Sequence, residues 1–137
     1  MKRFLVALQF LTILPVRIKS AINKQDFGAS VLYFPFAGLL IGLLLSLSAL
    51  ALSFLPVFVK SAIILLVSIL ITGGIHLDGF ADTCDGFYGN KPREKILEIM
   101  RDSHIGAMGV IGIVCLLVLK FSVIASLPEG FLWKILV

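Results

Sequence analysis

Apolar residues in this chain fall into long blocks separated by polar stretches. Residues 31–54 carry no charged side chain and are long enough to cross a bilayer, which takes roughly 20 apolar residues. Residues 105–127 form a second such block, closed by Pro128 and holding one charge, Lys120. Residues 61–72, extended by neighbours on either side, predict a return span. Residues 4–16 are apolar but too short to span and stop at Pro15, which predicts a short interfacial or re-entrant helix. Pro35 suits the start of its span, and Gly38 and Gly42 form a G-x-x-x-G that lets another helix approach. The apolar run at 131–137 reads as the start of one more span. The pattern predicts an all-α, polytopic integral membrane helix bundle. It would have about three to four transmembrane helices plus the short N-terminal helix.

The polar stretches predict the connections. Residues 17–26 are a link, and residues 55–60, with Pro56, are a tight turn. Residues 90–102 predict a short amphipathic helix, with Asn90 as N-cap and Pro92 in the first turn. Ile96, Ile99 and Met100 would share one face and Glu94 and Glu98 another. Gly106, Gly109 and Gly112 recur every three residues near the start of the last block, which predicts close packing against a helix or a ligand.

Composition strengthens the membrane reading. Hydrophobic residues make up 59% of the 137 and charged ones 15%, with a mean hydropathy of +1.09. Soluble domains are usually less than half apolar and about one quarter charged. The chain therefore reads as one membrane-embedded unit. Its net charge of +4 fits basic cytoplasmic loops and not a nucleic-acid partner. Cys84 and Cys115 form no C-x-x-C, so neither a disulfide framework nor a zinc pattern is predicted. No small-residue cleavage site follows residues 4–16, so no cleavable signal peptide is predicted. Lys2, Arg3, Arg17, Lys19 and Lys24 precede the first span. Lys91, Arg93, Lys95 and Arg101 lie between the second and third, and only Lys60 lies in the turn between the first two. That bias puts the N-terminus, the acidic loop at 73–86 and the amphipathic helix on the cytoplasmic side.

The chemistry concentrates in G-G-I-H-L-D-G-F-A-D-T-C-D-G at 73–86. Asp78, Asp82 and Asp85 are spaced i, i+4, i+7, which on a helix puts three carboxylates on one stripe. Nothing basic lies between them, and like charges beside lipid demand compensation. Carboxylates are hard ligands, and Mg²⁺ typically takes one or two of them with substrate phosphates and water. Asp102 would add a fourth carboxylate. A solvated acidic loop is the plainer alternative, but Leu77, Phe80 and Ala81 interleave with the acids and Gly79 and Gly86 flank them. A zinc site using His76 and His104 is weaker, because neither histidine belongs to an H-x-x-x-H pair. His76 would point off the acidic stripe, toward a local hydrogen bond or a substrate.

Carboxylate-held Mg²⁺ at a membrane suggests transfer from a diphosphate, with the ion stabilising charge on phosphate and leaving group. Basic side chains would complete a phosphate clamp. Arg101, beside Asp102 and Ser103, is the leading candidate, and Lys120 either snorkels or points at an anion. Arg93 and Lys95 read better as a solvated face.

Four blocks, taken together, resemble the cobalamin synthase (adenosylcobinamide-GDP ribazoletransferase) family. They are L-Q-F-L-T-I-L-P-V at 8–16, F-P-F-A-G-L-L-I-G at 34–42, H-L-D-G-F-A-D-T-C-D-G at 76–86 and L-E-I-M-R-D-S-H-I-G-A-M-G-V at 97–110. The resemblance implies a transferase of the bacterial or archaeal plasma (inner) membrane, acting late in vitamin B12 biosynthesis. Its donor would be adenosylcobinamide-GDP, its acceptor α-ribazole or the 5′-phosphate, its by-product GMP and its cofactor Mg²⁺. Carried onto this chain, Asp78, Asp82, Asp85 and Asp102 would hold the metal and Asp82 and Asp85 would be catalytic. His76, Arg101, Ser103 and Lys120 would meet substrate. Members of that family are usually nearly twice this length, so residues 1–137 would be the N-terminal part of one transferase domain. The D-x-x-D-G at 82–86 also resembles CDP-alcohol phosphotransferases. That type, an aromatic prenyltransferase or a cation transporter are the rival readings. A homo-oligomer is left open.

Overall fold

The computed structural model describes residues 2–16, 18, 21–102 and 104–128. Those residues form α-helices and one 3₁₀ turn, with no strand among them. The helices are α1 (Lys2–Leu11), α2 (Lys24–Ser30), α3 (Phe34–Ala51), α4 (Val57–Thr72), α5 (Ile75–Phe87), α6 (Arg93–Ile99) and α7 (Ala107–Ser126). Among the described residues two stretches are long and apolar enough to cross a membrane, Lys24–Ala51 and Ala107–Ser126, and a third exists if α4 and α5 form one broken span. The all-α membrane architecture is thus as expected. The fourth span, expected from residue 131, lies outside the described residues.

The chain divides into two compact units, residues 1–73 with 124–137, and residues 74–123. In the first, α3 runs on from α2 through the 3₁₀ turn Val31–Tyr33. The helical run therefore begins at Lys24, inside the predicted link. Asn23 sets that start, because its side-chain oxygen accepts the Asp26 N–H at 2.8 Å. Pro35 sits in the first turn of α3, where its missing N–H removes no helical bond. Leu45, Ala49 and Ile64 make the buried core, flanked by Ile41, Val67, Ile71, Ile124 and Leu127. Hydroxyls inside the apolar helices are paired locally, Ser48 to the Leu44 carbonyl at 2.8 Å and Ser61 to that of Val57 at 2.7 Å. Leu39, Leu43, Leu47 and Leu50 remain exposed along α3, as expected of a helix whose solvent is lipid.

Three local expectations change. The first helix ends at Leu11, before Pro15, where the Thr12 hydroxyl binds the Leu8 carbonyl at 2.7 Å. The Ile13 N–H then pairs with the Ile71 carbonyl at 2.9 Å, tying the segment after α1 to α4. Lys60 lies in the first turn of α4 and is buried, because α4 already starts at Val57 after Pro56. Gly42 is buried as a packing residue should be, but a Cβ at Gly38 would meet nothing within 4 Å, so the G-x-x-x-G contributes only one contact point.

In the second unit, α5 starts at Gly74 in the left-handed region (φ 72°). The Leu77 and Asp78 N–H groups bond the Gly74 carbonyl at 2.8 and 3.0 Å. Leu77, Ala81 and Gly86 are the buried positions of α5. Gly86 gives α6 its seat, since a Cβ there would lie 3.2 Å from Ile96 Cγ2 and 3.3 Å from Met100 Cγ. The apolar face expected of 90–102 is therefore present. Its start is not as expected. Asn90 adopts φ 49° after Gly89 at φ 88°, so the two reverse the chain, and Pro92, which offers no side-chain cap, occupies the N-cap position. Lys91 closes the other end of the turn, with Nζ donating to the carbonyls of Asp85 at 3.0 Å and Tyr88 at 2.8 Å.

Candidate active site: a carboxylate-lined cavity

The cavity of interest lies within the second unit and has a volume of about 320 Å³. Asp78 and Asp82, one helical turn apart on α5, line it with Ala81 between them. Arg101, Asp102 and His104, from the segment after α6, line it as well. Ile105 and Ile113 supply apolar wall. Asp78 is exposed and Asp82 half-buried. Asp78 falls in the first turn of α5, where the helix dipole favours a negative charge.

Asp102 is held by His104. Its Oδ1 accepts the His104 backbone N–H at 3.1 Å and lies 2.6 Å from Nδ1 of the ring. That hydrogen bond is the main reason the Asp102 carboxyl titrates below its ordinary value. The same bond, followed by the carboxylate charge, raises the imidazole above its own. Lys95 is occupied by Glu98 at 3.0 Å on the exposed face of α6, in line with a solvated helix surface.

The structure thus brings Asp78, Asp82, Arg101 and Asp102 to one cavity and leaves three expected participants off it. Asp85 is the first. Its carboxylate accepts the N–H of Gly106 at 2.7 Å and of Gly109 at 2.8 Å, so the i+7 position of the acidic stripe faces α7. Close packing expected of Gly106, Gly109 and Gly112 occurs here, against Asp85 and Cys84. His76 and Lys120 do not line the cavity, although Lys120 is near enough for its charge to act on the His76 ring. Ser103 lies outside the described residues. The sequence offers His104 only as a partner in the weaker zinc reading. The signal was present in Asp102-Ser103-His104, since an aspartate readily bonds the backbone N–H two residues on.

Among the described residues no three His, Cys, Asp or Glu side chains gather closely enough to cage a metal ion. Mg²⁺ does not need such a cage, because it keeps water and takes one or two carboxylates with substrate phosphates. Two carboxylates at i, i+4 spacing, with a third on the same cavity, fit that mode of binding.

Apolar helices and an acidic, arginine-bearing cavity are the features of a helical membrane bundle with a polar site. The cobalamin-5-phosphate synthase family matches residues 3–137, and the chain belongs to that family. It is 40% identical over 137 residues to the adenosylcobinamide-GDP ribazoletransferase of Acetivibrio thermocellus, covering 99% of this chain and 55% of that protein. It is 35% identical over 137 residues to the protein of that name in Clostridium acetobutylicum, covering 99% of this chain and 54% of that one. The counterpart in Geotalea daltonii is 42% identical over 125 residues, covering 88% of this chain and 49% of that protein. The chain spans about half the length of the curated relatives it matches. No solved structure matches it.

Proposed function

We propose that this chain contributes the metal- and diphosphate-binding part of an adenosylcobinamide-GDP ribazoletransferase. The observation that carries the reading is the shared cavity of Asp78, Asp82, Arg101 and Asp102 in a chain of this family. Asp78 and Asp82 would hold Mg²⁺, with Asp102 on the same cavity facing its water shell, and the ion when bound supplies charge stabilisation for the diphosphate and the departing phosphate. Arg101 binds a donor phosphate through its planar fork of N–H groups. A free ribose hydroxyl of α-ribazole, or of its 5′-phosphate, attacks the phosphorus on the cobinamide side of adenosylcobinamide-GDP. A new P–O bond forms, the bridging P–O bond breaks, and GMP leaves. Of the two α5 carboxylates lining the cavity Asp82 is the less exposed, and we give it the proton of the attacking hydroxyl. We assign the reaction to the cytoplasmic face of the plasma membrane, a reading supported by the excess of lysine and arginine beside the spans.

The test is GMP release by the full-length protein in lipid nanodiscs, with adenosylcobinamide-GDP, α-ribazole and varied Mg²⁺. Asp82→Asn is expected to lower kcat by at least about 100-fold. A wild-type rate in that variant would remove Asp82 from the reaction. Steady metal flux into proteoliposomes without nucleotide would favour the transporter reading instead.

A further inference from the structure

Asp85 belongs to the same acidic motif as Asp78 and Asp82 but does something different. We propose that Asp85 is a positioning residue that fixes the start of α7, and with it Arg101, Asp102, His104 and Ile105 on the cavity, and that it holds neither metal nor phosphate. The proposal rests on the function given above and divides the labour within it.

The Gly106 carbonyl accepts the first helical bond of α7, from Val110 at 3.1 Å, so Gly106 stands at the N-cap and Gly109 three residues into the helix. The N–H groups at these two positions are the ones a capping box satisfies, each through a side chain of the other residue. Here both residues are glycine and have no side chain to offer. One carboxylate from α5 does the work of both, with Oδ2 on the Gly106 N–H at 2.7 Å and Oδ1 on the Gly109 N–H at 2.8 Å. A negative charge at a helix N-terminus is favourable, and α7 carries no acid of its own in its first turn. The glycines are the condition for this approach. A Cβ at either position would run into the Asp85 carboxylate, and the one at Gly109 would also press on the Ala81 carbonyl at 3.1 Å.

Turning Asp85 toward a metal would break both bonds. It would leave two N–H groups at the mouth of an apolar helix without the acceptor they have here. Ile105, which lines the cavity, is the residue before Gly106, and His104 and Asp102, which line it too, precede Gly106 by two and four positions. Loss of the clamp would therefore be felt where Arg101 and Asp102 meet the substrate.

The experiment uses the full-length protein in nanodiscs. Amide hydrogen exchange at Gly106 and Gly109 is measured in the wild type, with and without Mg²⁺ and GDP. Protection present without Mg²⁺, and unchanged on addition, is the expected result. Protection that collapses when Mg²⁺ is added would mean that Asp85 leaves the clamp for the metal, and would overturn the proposal. Asp85→Asn is then compared with Asp82→Asn. Asp85→Asn is expected to speed exchange at the two glycines by at least about tenfold and to lower kcat. The Mg²⁺ concentration at half-maximal rate should stay within about twofold. A rise of about tenfold in that concentration would sink the positioning role. If Asp85→Asn does not fold, the wild-type exchange comparison still decides. If the wild type releases no GMP in response to Mg²⁺, the proposed function fails, and the exchange data judge the clamp separately.

Discussion

Nδ1 of His104 lies 2.6 Å from Oδ1 of Asp102, the same oxygen that accepts the His104 backbone N–H at 3.1 Å. An ionised carboxylate only accepts, so the proton of this bond sits on Nδ1. The bond raises the histidine above its ordinary value of 6.5 and lowers the aspartate below 3.8. The histidine's contribution is fully present below 6.5 and is lost as pH rises through its raised value. The aspartate's is present above 3.8 and is lost as pH falls through its lowered value. The pair is thus intact between the aspartate's ordinary value of 3.8 and the histidine's of 6.5. In metal-free protein, NMR titration of the His104 ring should give a midpoint above 6.5 that moves back toward it in Asp102→Asn. A midpoint at or below 6.5 in the wild type would show that the bond does not form in solution.

Arg101 is exposed, lines the carboxylate cavity and also lines a neighbouring one with Glu94, Leu97 and Glu98. A charge-assisted bond to phosphate is worth about 1.5–3 kcal/mol. Arg101→Ala should therefore lower kcat/KM for the donor by roughly tenfold to 100-fold. Arg101→Lys should recover part of the loss, because lysine keeps the charge but not the two-pronged geometry. Equal kcat/KM in all three proteins would exclude a phosphate contact.

The apolar blocks were legible because lipid imposes them. Residues 31–54 and 105–127 carry almost no charge, and α3 and α7 lie within them. The acidic stripe on α5 was legible for a related reason, since i, i+4, i+7 spacing leaves little freedom on a helix. Which neighbour each carboxylate faces was not. Asp78 and Asp85 differ by only a small rotation about the helix axis, yet one lines a cavity and the other caps α7. That choice is made by Gly106 and Gly109, more than twenty residues downstream. Asn90 misled for a different reason. Asparagine favours both N-caps and the left-handed region, and only its place directly after Gly89 separates the two.

Gly112 offers a test of the seam between α5 and α7. A Cβ there would lie 2.5 Å from Cys84 Sγ and 3.3 Å from both Cys84 Cβ and Phe80 Cε1. Overpacking of this kind costs about 1–3 kcal/mol. Gly112→Ala should lower stability by that amount in a denaturant titration of the detergent-solubilised protein. Adding Cys84→Ala removes the closest atom, so the double variant should be more stable than Gly112→Ala alone. Simple additivity of the two changes would mean that the residues do not touch.

Gly73 ends α4 in the left-handed region at φ 62°, and a Cβ there would sit 2.6 Å from Ile13 Cγ2. Two penalties follow from one substitution. A side chain in that backbone region costs about 1–2 kcal/mol, and the clash pushes on the segment whose Ile13 N–H holds the Ile71 carbonyl at 2.9 Å. The penalties separate experimentally. Gly73→Ala should be clearly destabilised in thermal unfolding. Adding Ile13→Ala should recover the steric part and leave the backbone part. Gly38→Ala is the matched control, since it lies inside α3 with nothing within 4 Å of its added carbon. Alanine there should gain up to about 1 kcal/mol from helix propensity. Loss of stability at Gly38 comparable to that at Gly73 would point to a helix seated on the exposed side of α3. A neutral Gly73→Ala would show that the α4 end relaxes away from the left-handed turn.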